Sequence, residues 1–332
     1  MFTTQETCEV CMSNGLAIIR RCYEKIPPDS RRKFGKILFD SAVKTRRKIL
    51  GAEEKSTKIS DGYVSWLHVD NHCPETVLFL HGFGDNKDNF FDAARLLAKN
   101  YNLVIPDLPG FGQSFKPVDA VYDLPAYGKW LSEFLESIEL DEFHLAGNSL
   151  GGGIALQLTL LNPDKVKTLT VIDPAGFVGV DDDSVYQELV SGRNIFKVNS
   201  AQEFESFMDR VFCKKRPFIP PFIKDHITHD FISRGEWHEY MIATTLSGVT
   251  SLRDDRVKGL SLNEELPKIG VPTLILWGDN DTLFPHKWAH EMCTLIPNSQ
   301  AHVFSDMGHS VQMERPSHFV SVYETFLGAQ GV

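Results

Sequence analysis

A serine flanked by small residues stands out at Gly147-Asn148-Ser149-Leu150-Gly151, with Gly152 and Gly153 directly behind it. The apolar run FHLAG (143–147) leads in, and a stretch with helical character follows to about Leu161. Ser149 therefore falls on a sharp strand-to-helix turn, the setting of a nucleophile elbow. Such a turn exposes the hydroxyl above a sheet edge and aims the new helix's N–H groups at the point where negative charge would form. A serine hydroxyl is a poor nucleophile at neutral pH and needs a base. His309, in SDMGHSVQMERP, lies on a loop between a late strand and the last helix, and it is the histidine whose position suits that role.

The base in turn needs an acid to fix its tautomer and stabilise the imidazolium. WGDNDTLFP (277–285) offers two aspartates just after an apolar strand; Asp281 is preferred over Asp279, and Asp173, at the end of another strand, is a further competitor. An oxyanion hole would take one backbone N–H from Leu150, behind the nucleophile. It would take the other from the loop His81-Gly82-Phe83-Gly84, where Phe83 is the candidate. His81 is expected to brace that loop rather than react. His72, His238 and His286 are expected at the surface. His226 and His229 are three apart with no third ligand in view, so a metal reading is disfavoured. No metal or organic cofactor is expected.

The elements that must position these groups begin near residue 60. YVSWLHV (63–69) alternates like a half-exposed strand, and TVLFLHG (76–82) is a short continuous apolar run, as a buried parallel strand should be. A helix near 88–100, the strand NLVIPD (102–107), a helix over 124–138 and the strand FHLAG follow. The helix behind Ser149 leads to the strand VKTLTVID (166–173). The rhythm returns with VPTLILWGD (271–279), a helix near 286–296, the strand QAHVFSD (300–306) and a last helix from about Pro316. Alternation of this kind predicts an α/β fold with a mostly parallel central sheet and helices on both faces. Residues 176–267 interrupt it with helix, loop and many aromatics, among them Phe177, Tyr186, Phe196, Phe204, Phe231 and Trp237. In KKRPFIPPFIK (214–224) three prolines rule out one smooth helix.

With 332 residues, 42% hydrophobic and 23% charged, the chain is long enough for one large α/β domain carrying an insertion. A net charge of −10 gives no basic footprint for nucleic acid. Residues 1–55 nevertheless carry 12 Lys/Arg against 7 Asp/Glu. Within them DSRRKFGKILFDSAVKTRRKIL reads as a basic amphipathic helix, either packed on the main domain or resting on anionic lipid. The cysteines, Cys8, Cys11, Cys22, Cys73, Cys213 and Cys293, are scattered; CEVC (8–11) lacks a second pair, so metal or redox use is disfavoured. Neither a secretory signal nor a spanning segment is read; a cytoplasmic protein is expected, with contact at a membrane surface left open.

Together HGFGDNKDNF, PDLPGFGQS, HLAGNSLGGGIAL, VIDPAG, WGDNDTLFP and MGHSVQMERP resemble the capped α/β-hydrolases, in particular bacterial lipases and the monoacylglycerol lipases of the α/β-hydrolase-domain group. The resemblance spans about 60–332. The order Ser149…Asp281…His309 is that of the α/β-hydrolases. The resemblance implies these three as triad, Phe83 and Leu150 as oxyanion donors, and a helical cap over 176–267, inserted after the strand ending at 173. The chain then divides into an N-terminal extension (1–56), a core in two parts (57–175 and 268–332) and the cap between them. The implied activity is hydrolysis of apolar acyl esters through an acyl-enzyme. Epoxide hydrolases and haloalkane dehalogenases carry aspartate at the elbow, and Ser149 removes them. Carbon–carbon bond hydrolases share a similar elbow but carry an aromatic where this chain has Ser310. Thioesterases, cofactor-free haloperoxidases and an inactive hydrolase-like binding protein stay open as alternatives.

Overall fold

The structure, a computed structural model, describes residues 23–180, 184–214, 216–247, 249 and 259–331. Cys8, Cys11 and Cys22, and with them the CEVC motif, lie outside the described residues. The described residues form two compact units: one from 23–44 with 218–230, the other from 45–217 with 231–331.

The larger unit is built on an eight-stranded sheet: β1 (Glu53–Ile59), β2 (Gly62–Val69), β3 (Thr76–Leu80), β4 (Asn102–Pro106), β5 (Phe143–Asn148), β6 (Val166–Ile172), β7 (Thr273–Gly278) and β8 (Ser299–Phe304). The spatial order is β1-β2-β4-β3-β5-β6-β7-β8. β1 and β2 pair antiparallel, as do β2 and β4; every other pairing is parallel. The continuous apolar strands are explained by burial on both faces. In β3, Val77 and Phe79 join one hydrophobic cluster while Leu78 and Leu80 join the other; in β7, Leu274 and Leu276 oppose Ile275 and Trp277.

Helices cover both faces. On one side lie α3 (Leu124–Ser137), α4 (Leu150–Leu161) and α9 (Trp288–Leu295); on the other, α2 (Phe91–Leu97) and α11 (Pro316–Ala329). The sequence of α3 states its own beginning: the Asp123 side chain caps the Ala126 N–H, and Leu124, Tyr127, Trp130, Leu131 and Phe134 recur on one buried stripe. A short α10 (Val311–Glu314) precedes α11.

Between β6 and β7 the described residues hold α5 (Val185–Val190), α6 (Ala201–Val211), α7 (Pro221–Ser233) and α8 (Gly235–Thr245). The proline-rich stretch does break the helical run, and α7 starts on its last proline. The smaller unit joins the first part of α1 (Pro28–Leu50) to the first part of α7. There Gly35 lies so close to the Phe222 carbonyl that a Cβ would sit 1.9 Å from its oxygen, and Arg31 pairs with Asp225 at 3.2 Å. His226, singled out for a possible metal, instead packs its ring against Phe39 at 5.4 Å. Residues 218–230, assigned to the inserted segment on sequence, thus cluster with the N-terminal helix, because the backbone contact at Gly35 needs no side-chain signature beyond one glycine.

β1 was not legible. Its sequence, EEKSTKI, is polar because it is an edge strand, paired on one side and exposed along most of its length. It begins at Glu53, so it straddles the sequence-drawn boundary at residue 57.

Candidate active site

Loops leaving the carboxyl ends of the parallel strands carry the singled-out residues: Phe83 after β3, Ser149 after β5, Asp173 after β6, Asp281 after β7 and His309 after β8. The carboxyl edge is where open parallel sheets bind ligands.

Ser149 has φ 55° and ψ −120°, a conformation that costs a non-glycine residue about 1–3 kcal/mol. The sheet holds it there. Its N–H donates to the Ile172 carbonyl at 2.9 Å, and its own carbonyl accepts from Gly152 (2.9 Å), Gly153 (3.1 Å) and Ala175 (2.9 Å). The two glycines of the motif are needed for space. A Cβ on Gly147 would sit 2.1 Å from the Gly151 oxygen, and one on Gly151 would sit 2.2 Å from the Leu80 oxygen. The bend therefore admits no side chain at either position.

Ser149, Leu150 and Phe83 line one cavity of about 90 Å³ that opens to solvent. A Cβ on Gly82 would meet Ser149 Cβ at 3.3 Å, so the two loops are in contact. Leu150 opens α4, where an N–H has no intrahelical acceptor. Among the described residues, neither the Leu150 nor the Phe83 N–H has a hydrogen-bond acceptor, and neither Ser149 Oγ nor His309 Nε2 has a partner.

The loop bearing Phe83 is fixed from behind. The buried His81 ring accepts from the Leu108 N–H through Nε2 at 2.9 Å and donates from Nδ1 to the Gly82 carbonyl at 2.8 Å. Burial pushes this imidazole below its ordinary pKa, which keeps it neutral and suits both bonds. Lys87, also buried, pairs with Asp107 at 2.6 Å, and Asp107 takes the Lys87 and Gln113 N–H groups as well.

His309 is 4% exposed. Its Nδ1 bonds to Asp281 Oδ2 at 2.8 Å, and its ring lies 5.5 Å from Phe284, itself part of the cavity wall. Asp281 Oδ1 accepts from the N–H groups of Leu283 (2.7 Å) and Phe284 (3.2 Å), which fixes the carboxylate with its other oxygen at the imidazole. Asp279 instead accepts from the Met307 N–H at 3.4 Å. Asp173 is fully buried, with one oxygen accepting the Gly278 N–H at 2.9 Å. One oxygen each from Asp173 and Asp281 and one His309 ring nitrogen lie within 4.8 Å of one another, the one cation-sized donor set among the described residues. The His309–Asp281 hydrogen bond already uses part of this set.

Several positioning contacts carried no sequence signal. The Asn148 amide donates to the His309 carbonyl at 3.1 Å and is itself held by Gln312, at 3.1 Å. Glu314 accepts from the Gly308 N–H at 2.6 Å. The end of α6 joins both loops: Val211 carbonyl accepts the His309 N–H at 2.9 Å, and Arg210 and Thr282 exchange two hydrogen bonds. These are ordinary polar residues whose partners lie far along the chain.

One expectation needs correction. His238 is buried, not at the surface; it faces inward from α8, its ring 5.3 Å from Phe83 and its Nδ1 3.2 Å from the Phe196 carbonyl. His72 and His286 are exposed. Of the aromatics singled out in 176–267, few line the cavity. Tyr186 and Phe196 do, whereas Phe204, Phe207 and Phe231 pack on one another and Phe218 is exposed; aliphatic Val185, Leu189, Ile242 and Leu246 supply much of the wall.

Comparison with known proteins agrees with this architecture. Residues 75–316 match the family model of the alpha/beta hydrolase fold. The chain is 30% identical over 294 residues to Lipase 3 of Moraxella sp. (strain TA144), covering 86% of this chain and 90% of that one. It is 30% identical over 269 residues to monoacylglycerol lipase ABHD6 of Rattus norvegicus, covering 78% and 76%. A solved membrane phospholipase A, a bacterial virulence factor, superposes with a TM-score of 0.82 at 28% identity, covering 98% of this chain and 99% of that one. With its matched sheet, its elbow and its carboxyl-edge loops, this chain belongs to the α/β-hydrolase family.

Proposed function

We propose that the protein is a serine carboxylic-ester hydrolase of lipase type, with Ser149 as nucleophile, His309 as base, Asp281 as its orienting acid, and the N–H groups of Phe83 and Leu150 as oxyanion donors. The observation that carries this reading is the shared apolar cavity. Its floor brings together an unpartnered hydroxyl and two unpartnered N–H groups, and its wall adjoins a histidine already oriented by a buried carboxylate. Segment 176–267 supplies most of the remaining wall, which supports its role as a cap.

In the proposed cycle Ser149 Oγ attacks the ester carbonyl carbon while His309 Nε2 takes the hydroxyl proton. Catalytic hydrogen bonds of this kind are commonly long in free enzymes and tighten in the substrate complex. The negative oxygen of the tetrahedral intermediate accepts from Phe83 and Leu150. Loss of one such donor costs about 3–4 kcal/mol. His309 then protonates the departing alkoxide, leaving an acyl-enzyme. Water repeats the sequence, and the free acid leaves.

The substrate class follows from the wall chemistry and the lipase relatives. Each buried methylene contributes about 0.8 kcal/mol, or roughly fourfold in kcat/KM. On p-nitrophenyl esters from acetyl to palmitoyl, the rate is expected to climb about fourfold per methylene until the cavity is full. Faster turnover of a meta-cleavage dienoate than of any ester in the panel would replace this reading with carbon–carbon bond hydrolysis.

Contact with an anionic lipid surface through α1 is part of the proposal. No helix among the described residues is long and apolar enough to cross a membrane. In α1, Phe34 is 47% and Ile37 65% exposed, beside Arg32, Lys33 and Lys36. Replacing both apolar residues by glutamate should lower co-sedimentation with phosphatidylserine vesicles about tenfold or more, since it removes buried apolar area and adds repulsion. Undiminished binding would exclude this surface.

A further inference from the structure

Asp173 is left over by the proposed mechanism. It sits one residue beyond β6 with φ 45°, a strained value for an aspartate, and its N–H continues the parallel ladder to the Leu276 carbonyl at 2.9 Å. The side chain is fully buried. Oδ1 accepts from Gly278, but Oδ2 has no donor although it is closed off from water. A buried acceptor without a donor is costly, and native structures seldom leave one. Within 4.8 Å lie an Asp281 oxygen, another acceptor, and a His309 ring nitrogen that is itself turned to Asp281. A proton between the two carboxyls resolves the account, turning the orphan oxygen into a donor.

We propose that Asp173 stands as a neutral carboxylic acid whose O–H donates to the Asp281 carboxylate, making it a positioning residue that moderates how strongly Asp281 holds the His309 ring. The inference rests on the reading of His309 as base and Asp281 as its partner. The electrostatic surroundings support it. Burial pushes the Asp173 carboxyl well above the usual carboxylate range, and the Asp281 charge adds to this; Glu314 and the hydrogen bond to Asp281 push the same way, and the Gly278 N–H opposes them. Asp281, Glu314 and His309 are the titratable groups facing it. Were Asp173 ionised, two buried anions would lie side by side against one imidazole, each raising the cost of the other's charge. As a neutral donor it draws charge from Asp281 and leaves one anion for His309.

The test compares Asp173→Asn, which keeps a donor of the same shape, with Asp173→Ala, which removes it. Asp173→Ala should lower kcat about tenfold and move the acidic limb of kcat/KM to higher pH, because Asp281 then holds the imidazolium more tightly; Asp173→Asn should restore most of the rate and return the limb to its wild-type position. A limb that moves down by about one unit in Asp173→Asn would mean that a negative charge was lost, and would overturn the proposal. So would identical behaviour of the two variants. Two readouts need no turnover and so survive failure of the catalytic reading, which is judged separately by Ser149→Ala. In the infrared difference spectrum at pH 8, wild type minus Asp173→Asn should show the carbonyl stretch of a protonated acid. Asp85 is a second buried carboxyl pushed up by desolvation, so Asp85→Asn should still keep that band. In stability measurements the wild type retains a proton that the unfolded chain releases. Its folding constant should therefore fall relative to Asp173→Asn by up to tenfold per pH unit as pH rises above about 4. Absence of both the band and the slope would sink the neutral acid.

Discussion

Replacing Ser149 by alanine is expected to reduce kcat/KM on p-nitrophenyl esters by about 10⁴–10⁶-fold while the protein stays folded. The argument has two halves. Chemically, Ser149 carries the one lining hydroxyl without a hydrogen-bond partner among the described residues, the others being held by Pro117, Pro109, Gly176 and Tyr122, and it is the group that forms the acyl-enzyme. Without it only oxyanion stabilisation and binding remain, which leave a residual acceleration of roughly 10³–10⁴ over water. Structurally, Ser149 Oγ has no hydrogen-bond partner among the described residues, so its removal strands no buried polar group. Alanine inherits the same positive φ, so stability should change by less than about 1 kcal/mol. Glycine at 149 should relieve the strain and raise stability by about 1 kcal/mol while being equally inactive. Thermal unfolding and steady-state kinetics on the three proteins check both halves. An unstrained, active Ser149→Ala enzyme would end the proposed mechanism.

Asp281→Asn should cost about 10⁴-fold in kcat, for a reason visible in its hydrogen bonds. Oδ1 of Asp281 accepts two backbone N–H groups, from Leu283 and Phe284. An asparagine must place its carbonyl there, because its amide would face two donors in that position. Its NH₂ then points at His309 Nδ1 and donates to it. The imidazole is forced into the tautomer with its proton on Nε2, which cannot accept from Ser149. Asp279→Asn keeps the His309 contact intact and should change kcat by less than about threefold. Side-by-side kinetics of the two variants provide the check. A larger loss from Asp279→Asn would mean that the acid has been assigned to the wrong carboxylate.

The elements that could be read from sequence are those whose residues report their own surroundings. TVLFL is apolar throughout because both faces of β3 are covered, and Asp123 announces the start of α3 through a local cap. Ser149 was legible because its turn leaves no room for side chains at Gly147 and Gly151, and that exclusion is written as glycine. What stayed hidden was set by partners distant in the chain. The polar edge strand β1 is recognised only once β2 lies beside it. His238 is buried because Phe83 and Phe231 arrive from other elements, and nothing in GEWHEY says so. The cavity wall combines Tyr186 and Phe196 with aliphatic residues such as Val185, Leu189 and Ile242, whereas Phe204, Phe207 and Phe231 pack on each other. Asp173 read as a competing acid, since its position after a strand is equivalent to that of Asp281. What separates them is that Asp281 meets an imidazole while Asp173 keeps one buried oxygen without a donor.

The proposed chemistry is most directly tested by covalent labelling with a fluorophosphonate, followed by peptide mapping. If Ser149 is an activated nucleophile beneath the cavity, its oxygen displaces fluoride at phosphorus. One adduct should then form, on the peptide containing Ser149, in step with the loss of esterase activity and far more slowly in His309→Ala. An adduct on a different residue, or full inactivation with the Ser149 peptide unmodified, would contradict the account.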